Sequence, residues 1–356
     1  MNNKHICKVP FSEVEIHISG EVYVCCPSKN NFSIGNIYKN SFDEIWYSER
    51  AKELRQDILN NQYTQCNLDI CNPADNIEQD KLELTQEEVN LSLTPPYPKY
   101  VKFCHDYSCN IKCITCRDIF YMNSKEKTEE LNSYIENIYL PILKNCEVVS
   151  LNGTGEVFAS PHCKTLVKKI SEKYPNIKFD FHTNGVLCTE KLCYELGITD
   201  KICSVSISMS AATPKTYNKI MLYSNYDKVI ENIKWLNTLL KKGTLKNLDL
   251  YFVVQKLNYQ EMIPFIKFAK SVNASVYFWE LRKWSSNFCK DYDKYAIHEK
   301  THREYNKFAK ILQDPIFKDK NVHLNNLLEN IKPISFREKL KLNFSNNKFL
   351  NYFTKK

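Results

Sequence analysis

Apolar and polar positions alternate through residues 11–26, FSEVEIHISGEVYVCC, on both sides of Ser19-Gly20. A period of two with a glycine at its centre predicts a β-hairpin. The next stretch, SFDEIWYSERAKELRQDILN at about 41–60, has helical spacing with Ser41 as its cap. A polar, acidic run follows QCNLDIC and ends at LTPPYPKY, so residues 76–98 read as a linker. From residue 99 the pattern becomes strand, loop, helix, repeated. Six strands are predicted: KYVKFC (99–104), EVVSLN (147–152), IKFDFH (177–182), ICSVSIS (202–208), LDLYFVV (248–254) and SVYFWE (275–280). Helical patterns such as SPHCKTLVKKISEKY and NYQEMIPFIKFAKSV separate them. This alternation predicts an α/β fold with a parallel sheet, in the form of a partial (β/α)6 TIM-like barrel. The expected organisation is a small α+β module over 1–75, the linker, a barrel core over 99–285 and a helical C-terminal region over 286–356.

In such barrels chemistry sits at the C-terminal ends of the strands. The first four predicted strands run into CHDYSCNIKCITC, NGTGE (152–156), HTNG (182–185) and SISMS (206–210). The chain has 15 cysteines and no apolar run near the roughly 18 residues of a membrane span. Its start, MNNKHICKVPFSEVEI, lacks the apolar stretch of a signal peptide. A cytoplasmic location is therefore expected, with thiols reduced and available for metal or redox chemistry. Glycine is scarce: usage of about 7% would give roughly 25, and there are 7. Gly20, Gly35, Gly153, Gly155 and Gly185 all fall inside the stretches singled out here. The net charge of +8 gathers partly in the tail IKPISFREKLKLNFSNNKFLNYFTKK, a lysine-rich helix in its plainest reading and otherwise a surface for an acidic partner.

Residues 104–118, CHDYSCNIKCITCRD, hold Cys104, Cys109, Cys113 and Cys116. Four thiols could close a structural zinc site or a complete cluster. Against that, Cys104 ends a predicted strand, and the paired C-x2-C arrangement of zinc ribbons is missing. The alternative is a 4Fe–4S cluster held by Cys109, Cys113 and Cys116 with one iron open. C-x3-C-x2-C on the loop after the first strand resembles the radical S-adenosylmethionine (SAM) enzymes. The resemblance covers roughly residues 99–282 and implies that SAM chelates the open iron and is cleaved to a 5′-deoxyadenosyl radical. GTGE resembles that family's Gly-Gly-Glu stretch, which assigns Gly153, Gly155 and Glu156 to the methionine end of SAM. HTNG and SISMSAATPKTYNKI resemble the next two segments, bringing in Asn184, Ser206 and Ser208. Two departures concern SAM contacts: Thr115 replaces an aromatic residue before the third cysteine, and Met221 stands where an arginine is frequent.

Cys7, Gly20 and Cys25, followed by FSIGNIYKNSFDEIWYSERAKELR, resemble the opening of SPASM and twitch modules, which carry auxiliary iron–sulfur clusters. That resemblance implies one auxiliary 4Fe–4S cluster on Cys7, Cys25, Cys66 and Cys71, with Cys26 an alternative to Cys25 and zinc an alternative metal. Trp46 is expected in the module's core. Cys146, Cys163, Cys188, Cys193, Cys203 and Cys289 are expected to pack as small apolar residues. Gln255, Asn258, Glu280 and Arg282 are polar candidates after the last two strands. The function implied by the resemblance is hydrogen abstraction for oxidative modification of a peptide or carbohydrate, with a flavodoxin- or ferredoxin-type electron donor. Neither a membrane span nor a nucleic-acid partner is expected. A non-catalytic iron–sulfur or zinc protein and an RNA-modifying radical enzyme are the competing classes.

Overall fold

The computed structural model describes residues 6–68, 71, 92–117, 119–151, 154–283, 292–330, 332–335, 338 and 341. The strands among them are β1 (Glu13–His17), β2 (Glu21–Tyr23), β3 (Ser33–Asn36), β4 (Tyr100–Cys104), β5 (Lys112–Cys113), β6 (Val148–Leu151), β7 (Lys178–Thr183), β8 (Ile202–Ser208), β9 (Met221–Leu222), β10 (Asn247–Val254), β11 (Ser275–Glu280) and β12 (Val322–His323). The fold is α/β, and all six strands expected after residue 99 are present. The chain divides into two compact units, residues 1–109, 121–182 and 191–203 in the first and residues 110–120, 183–190 and 204–356 in the second.

In the first unit the strand order is β7-β6-β4-β1-β2-β3. The predicted hairpin is β1–β2, turning at Gly20 with φ +82°, where a Cβ would stand 2.4 Å from the Tyr38 ring. Phe11 and Ser12 are helical rather than extended, because Pro10 opens a one-turn helix, Val9–Ser12. The predicted 41–60 helix is two helices. Phe42–Trp46 is capped by Ser41 in a capping box with Glu44, and Glu49–Leu59 is capped by Ser48, whose side chain accepts from the Ala51 N–H. A serine that satisfies orphan N–H groups starts a new helix in place of prolonging the old one. Trp46 is fully buried and donates to the Pro95 and Pro96 carbonyls at 3.1 Å. Arg55, also fully buried, lies 4.1 Å over the Trp46 ring and donates to the carbonyls of Pro10, Trp46 and Leu93.

β1 is more than half of a hairpin. It pairs in parallel with β4 over five residues, Glu13 opposite Tyr100 through His17 opposite Cys104. One face of this sheet is a dry core, with Val14, Ile16, Val101, Phe103, Phe179 and Phe181 all 0–2% exposed. The alternate positions place Glu15, Lys102, Cys104, Ser150 and Asp180 on the other face, where the Tyr100 hydroxyl donates to Asp180. Parallel strands are ordinarily apolar on both faces; here one face carries polar side chains, with Glu15, Ser150 and Asp180 buried.

In the second unit β8, β10, β11 and β12 pair in parallel in that order. Leu248, Leu250, Phe252 and Phe278 form its apolar face, and Ser204, Ser206 and Asp249 alternate onto the other. β5 and β9 make a small antiparallel pair that sets Cys113 opposite Met221. Residues 286–356 are not uniformly helical: short helices at Tyr292–Tyr295 and Tyr305–Ile311 flank turns and β12, a strand too short to leave a period in the sequence. Cys289, most of the predicted linker and the basic tail from 342 onward lie outside the described residues. No described helix is long and apolar enough to cross a membrane.

Candidate functional site

Four of the predicted thiols meet in the N-terminal module. Cys7, Cys25, Cys66 and Cys71 line one small pocket together with Pro10, Lys29, Asn30, Ile58 and Tyr63. Burial pushes the Cys7 thiol up to about 12, with Cys71 and Cys66 adding to the effect, and burial followed by Cys7 raises Cys25 as well. Thiols that raise one another by proximity in a dry pocket gain most when a metal takes their protons. The Tyr63 hydroxyl accepts from the Cys7 N–H at 3.3 Å, and the Asn30 amide points at Cys66 Sγ at 3.7 Å, a contact of the kind that tunes cluster sulfur. Cys25 and Cys26 lie beyond β2 in a bend, so alternation along a strand does not choose between them. Cys25 lines the pocket, whereas Cys26 Sγ sits 3.1 Å from Ser28 Oγ. The donor set and its burial fit an iron–sulfur cluster with four protein ligands.

The cysteine loop begins in the first unit. Asp106 is buried and acts as a hub: its carboxylate accepts from the Ser108 N–H at 2.7 Å and the Ser160 hydroxyl at 2.6 Å. The Ser108 carbonyl accepts from the Glu156 N–H at 2.7 Å, and the Thr154 hydroxyl donates to the Asp106 carbonyl at 3.0 Å. Cys109 is fixed by its N–H on the Tyr121 carbonyl at 2.9 Å. A Cβ on Gly155 would lie 2.4 Å from the Asp106 carbonyl oxygen and 2.6 Å from that of Ser108. The missing side chain of Gly155 therefore allows the close approach of the loop backbone. Glu156 is buried, and Gly153 lies outside the described residues. Cys104 does not join the loop: its thiol is hydrogen-bonded to Glu15.

In the second unit Cys113 Sγ lies 3.4 Å from Met221 Sδ, and the Ile114 N–H bonds to the Ile220 carbonyl at 2.9 Å. Met221, placed where an arginine was expected, thus packs on the cysteine strand. Cys116 is exposed. Asn184 holds its own turn through the Val186 N–H and reaches Asn110 on the loop at 2.9 Å. Ser206 Oγ, like Ser204 Oγ, is buried with no hydrogen-bond partner among the described residues; Ser208 is half-buried. Asn258 proves to be a turn residue, accepting from the Gln255 N–H and donating to the Ser210 and Val253 carbonyls. The Gln255 amide is fully buried and without a partner among the described residues, and Glu280 pairs with Arg282 at 3.4 Å. Cys163, Cys188 and Cys193 are buried as expected, while Cys146 and Cys203 give their thiols to carbonyls. The residues missed by sequence reasoning, Asp106, Ser160 and Thr154, are polar side chains holding backbone; only their crowding around the cysteines could have signalled them.

An N-terminal pocket of four thiols and a three-cysteine loop following a strand of a parallel α/β sheet are the features on which the resemblance to radical SAM enzymes with a SPASM-type module rests. Residues 7–72 match the SPASM family, described as an iron-sulfur cluster-binding domain. The chain is 27% identical over 133 residues to the FeMo cofactor biosynthesis protein NifB of Methanocaldococcus jannaschii, covering 34% of this chain and 43% of that protein. It is 24% identical over 183 residues to the NifB of Methanocaldococcus infernus, covering 46% and 60%. The chain thus spans about half the length of these curated relatives. Among solved structures, Streptococcus suis SuiB bound to its precursor peptide SuiA aligns with a TM-score of 0.41 at 16% identity, over 79% of this chain and 64% of that one.

Proposed function

We propose that Cys109, Cys113 and Cys116 hold a 4Fe–4S cluster with one open iron, and that the chain uses SAM bound there to abstract a hydrogen atom from a peptide or carbohydrate in an oxidative modification. The observation that carries this reading is that Cys104 is bonded to Glu15, which leaves three thiols, and so an open site, on the loop. When bound, such a cluster supplies one electron to SAM, whose carbon–sulfur bond breaks to methionine and a 5′-deoxyadenosyl radical. The chain's own work is positioning. The hub at Asp106 and the absent side chain of Gly155 hold the loop against residues 154–156. Asn184 ties the turn after β7 to the same loop, and the buried Ser206 hydroxyl offers a bond to SAM. Cys7, Cys25, Cys66 and Cys71 would hold the auxiliary cluster, a reservoir for the electron that an oxidation leaves behind.

The test is anaerobic reconstitution followed by SAM and dithionite, with 5′-deoxyadenosine measured by mass spectrometry. Wild type is expected to form it, and Cys109→Ala/Cys113→Ala/Cys116→Ala to form none while keeping roughly four of roughly eight irons. A fully iron-loaded wild type that makes no deoxyadenosine defeats the proposal. A second reading, assembly of a metal cofactor, draws on the similarity to the two NifB proteins. It predicts iron bound well beyond roughly eight per chain.

A further inference from the structure

The parallel register of β1 and β4 places Glu15 beside Lys102 and His17 beside Cys104. Glu15 is 6% exposed, a carboxylate that would be costly to bury alone. Three groups converge on it. His17 Nε2 is 2.7 Å from Oε1, Lys102 Nζ is 3.0 Å from Oε2, and the Cys104 thiol is hydrogen-bonded to the same carboxylate. The ligand atoms of Glu15, His17 and Cys104 all lie within 4.8 Å of one another. The Tyr23 ring stands edge-on to His17 at 5.2 Å and fixes its plane.

Lys102 alone neutralises Glu15, so charge balance needs neither the imidazole nor the thiol. What the three together provide is a nitrogen, an oxygen and a sulfur donor from adjacent strand ends on a polar face. We infer that Glu15, His17 and Cys104 form a third metal site, binding one zinc-type divalent ion through Oε1, Nε2 and Sγ. Mixed sulfur, nitrogen and oxygen donors suit zinc, and three protein ligands leave the fourth position open. Lys102 keeps Oε2 and orients the carboxylate, as groups behind metal ligands do. With a thiolate, a carboxylate, an ammonium and a divalent ion the site carries one positive charge, so its open position favours an anionic oxygen such as hydroxide or a substrate carboxylate. Binding releases the Cys104 proton and replaces the hydrogen bond between His17 Nε2 and Glu15 Oε1 with bonds from both atoms to the metal. None of the seven thiols assigned to the clusters takes part, so this site stands or falls separately from them.

The experiment loads the iron-reconstituted protein with zinc sulfate, desalts it, and measures zinc and iron per chain together with zinc K-edge X-ray absorption. Wild type is expected to retain one zinc, with a single sulfur near about 2.3 Å and the remaining ligands nitrogen or oxygen near about 2.0–2.1 Å. His17→Ala and Cys104→Ser should lose that zinc with iron unchanged, and Lys102→Met should weaken it about 10- to 100-fold. No retained zinc overturns the inference. So does a shell of three or four sulfurs, which would put the metal in a cluster site. The wild-type absorption spectrum separates these outcomes without any variant, so a substitution that fails to fold hides nothing.

Discussion

Gly155→Ala is the sharpest probe of how the cysteine loop is held. Gly155 has no positive φ, so alanine meets no conformational penalty there and the obstacle is purely steric. Its Cβ would lie 2.4 Å and 2.6 Å from the carbonyl oxygens of Asp106 and Ser108, against comfortable heavy-atom contacts of about 3.5 Å. The loop must retreat by roughly 1 Å. That retreat stretches the 2.7 Å bond from the Glu156 N–H to Ser108 and the 3.0 Å bond from Thr154 to Asp106 beyond useful length. Each buried group so orphaned costs about 1–3 kcal/mol, giving roughly 2–6 kcal/mol for the two. A total stability of about 5–15 kcal/mol makes this a severe loss. The chain can avoid it only by letting the loop detach, and the expected outcome is iron near four per chain, the auxiliary cluster surviving alone. Anaerobic iron analysis and urea unfolding of the same preparation read both effects. A Gly155→Ala protein with full iron and stability within about 0.5 kcal/mol of wild type would refute the steric reasoning.

Three further outcomes are expected. Cys25→Ala should lose about four irons and Cys26→Ala none, because only Cys25 lines the thiol pocket; equal losses would assign the ligand wrongly. Arg55→Met should lower the urea midpoint by an amount worth about 2–4 kcal/mol, since three carbonyls lose a buried donor and Trp46 loses its cation, and Arg55→Lys should not rescue it. His162 is held neutral by burial, its pKa lowered to about 4, with Nε2 2.7 Å from that of His105. The unfolded chain takes up that proton near pH 6.5, so stability should fall on acidification from about 6.5 toward 4, by about 2 kcal/mol for this residue between pH 7 and 5. His162→Gln should flatten that slope in urea titrations; an unchanged slope would place the acid sensitivity elsewhere.

The six strands after residue 99 were legible because each is a compact apolar or alternating run closed by a loop, and the hairpin because Gly20 sits between two alternating runs. β1's second role was not legible. Its partner β4 lies more than 80 residues away, and nothing local distinguishes a hairpin strand from one that also joins a parallel sheet. The break at Ser48 was hidden for a related reason: the apolar spacing runs through it, and only the cap interrupts the helix. The seven thiols proposed for the clusters were chosen from spacing and family resemblance. Spacing already favoured Cys25 over Cys26 and left Cys104 outside the set; the structure adds that Cys25 lines the thiol pocket and that Cys104 is hydrogen-bonded to Glu15 on the neighbouring strand.

The parallel pairing of β1 with β4 means that the N-terminal module is not a cassette. During synthesis His17 leaves the ribosome some 80 residues before Tyr100, about 4–16 s at ordinary translation rates, and in that interval β1 has only β2 to lean on. The module can complete itself only after the chain beyond it has been made. Cutting the gene between the two would leave β4 with a raw edge of unpaired N–H and C=O groups. Swapping the module for that of another enzyme would demand a five-residue strand of matching register, so the two regions are constrained to evolve as one.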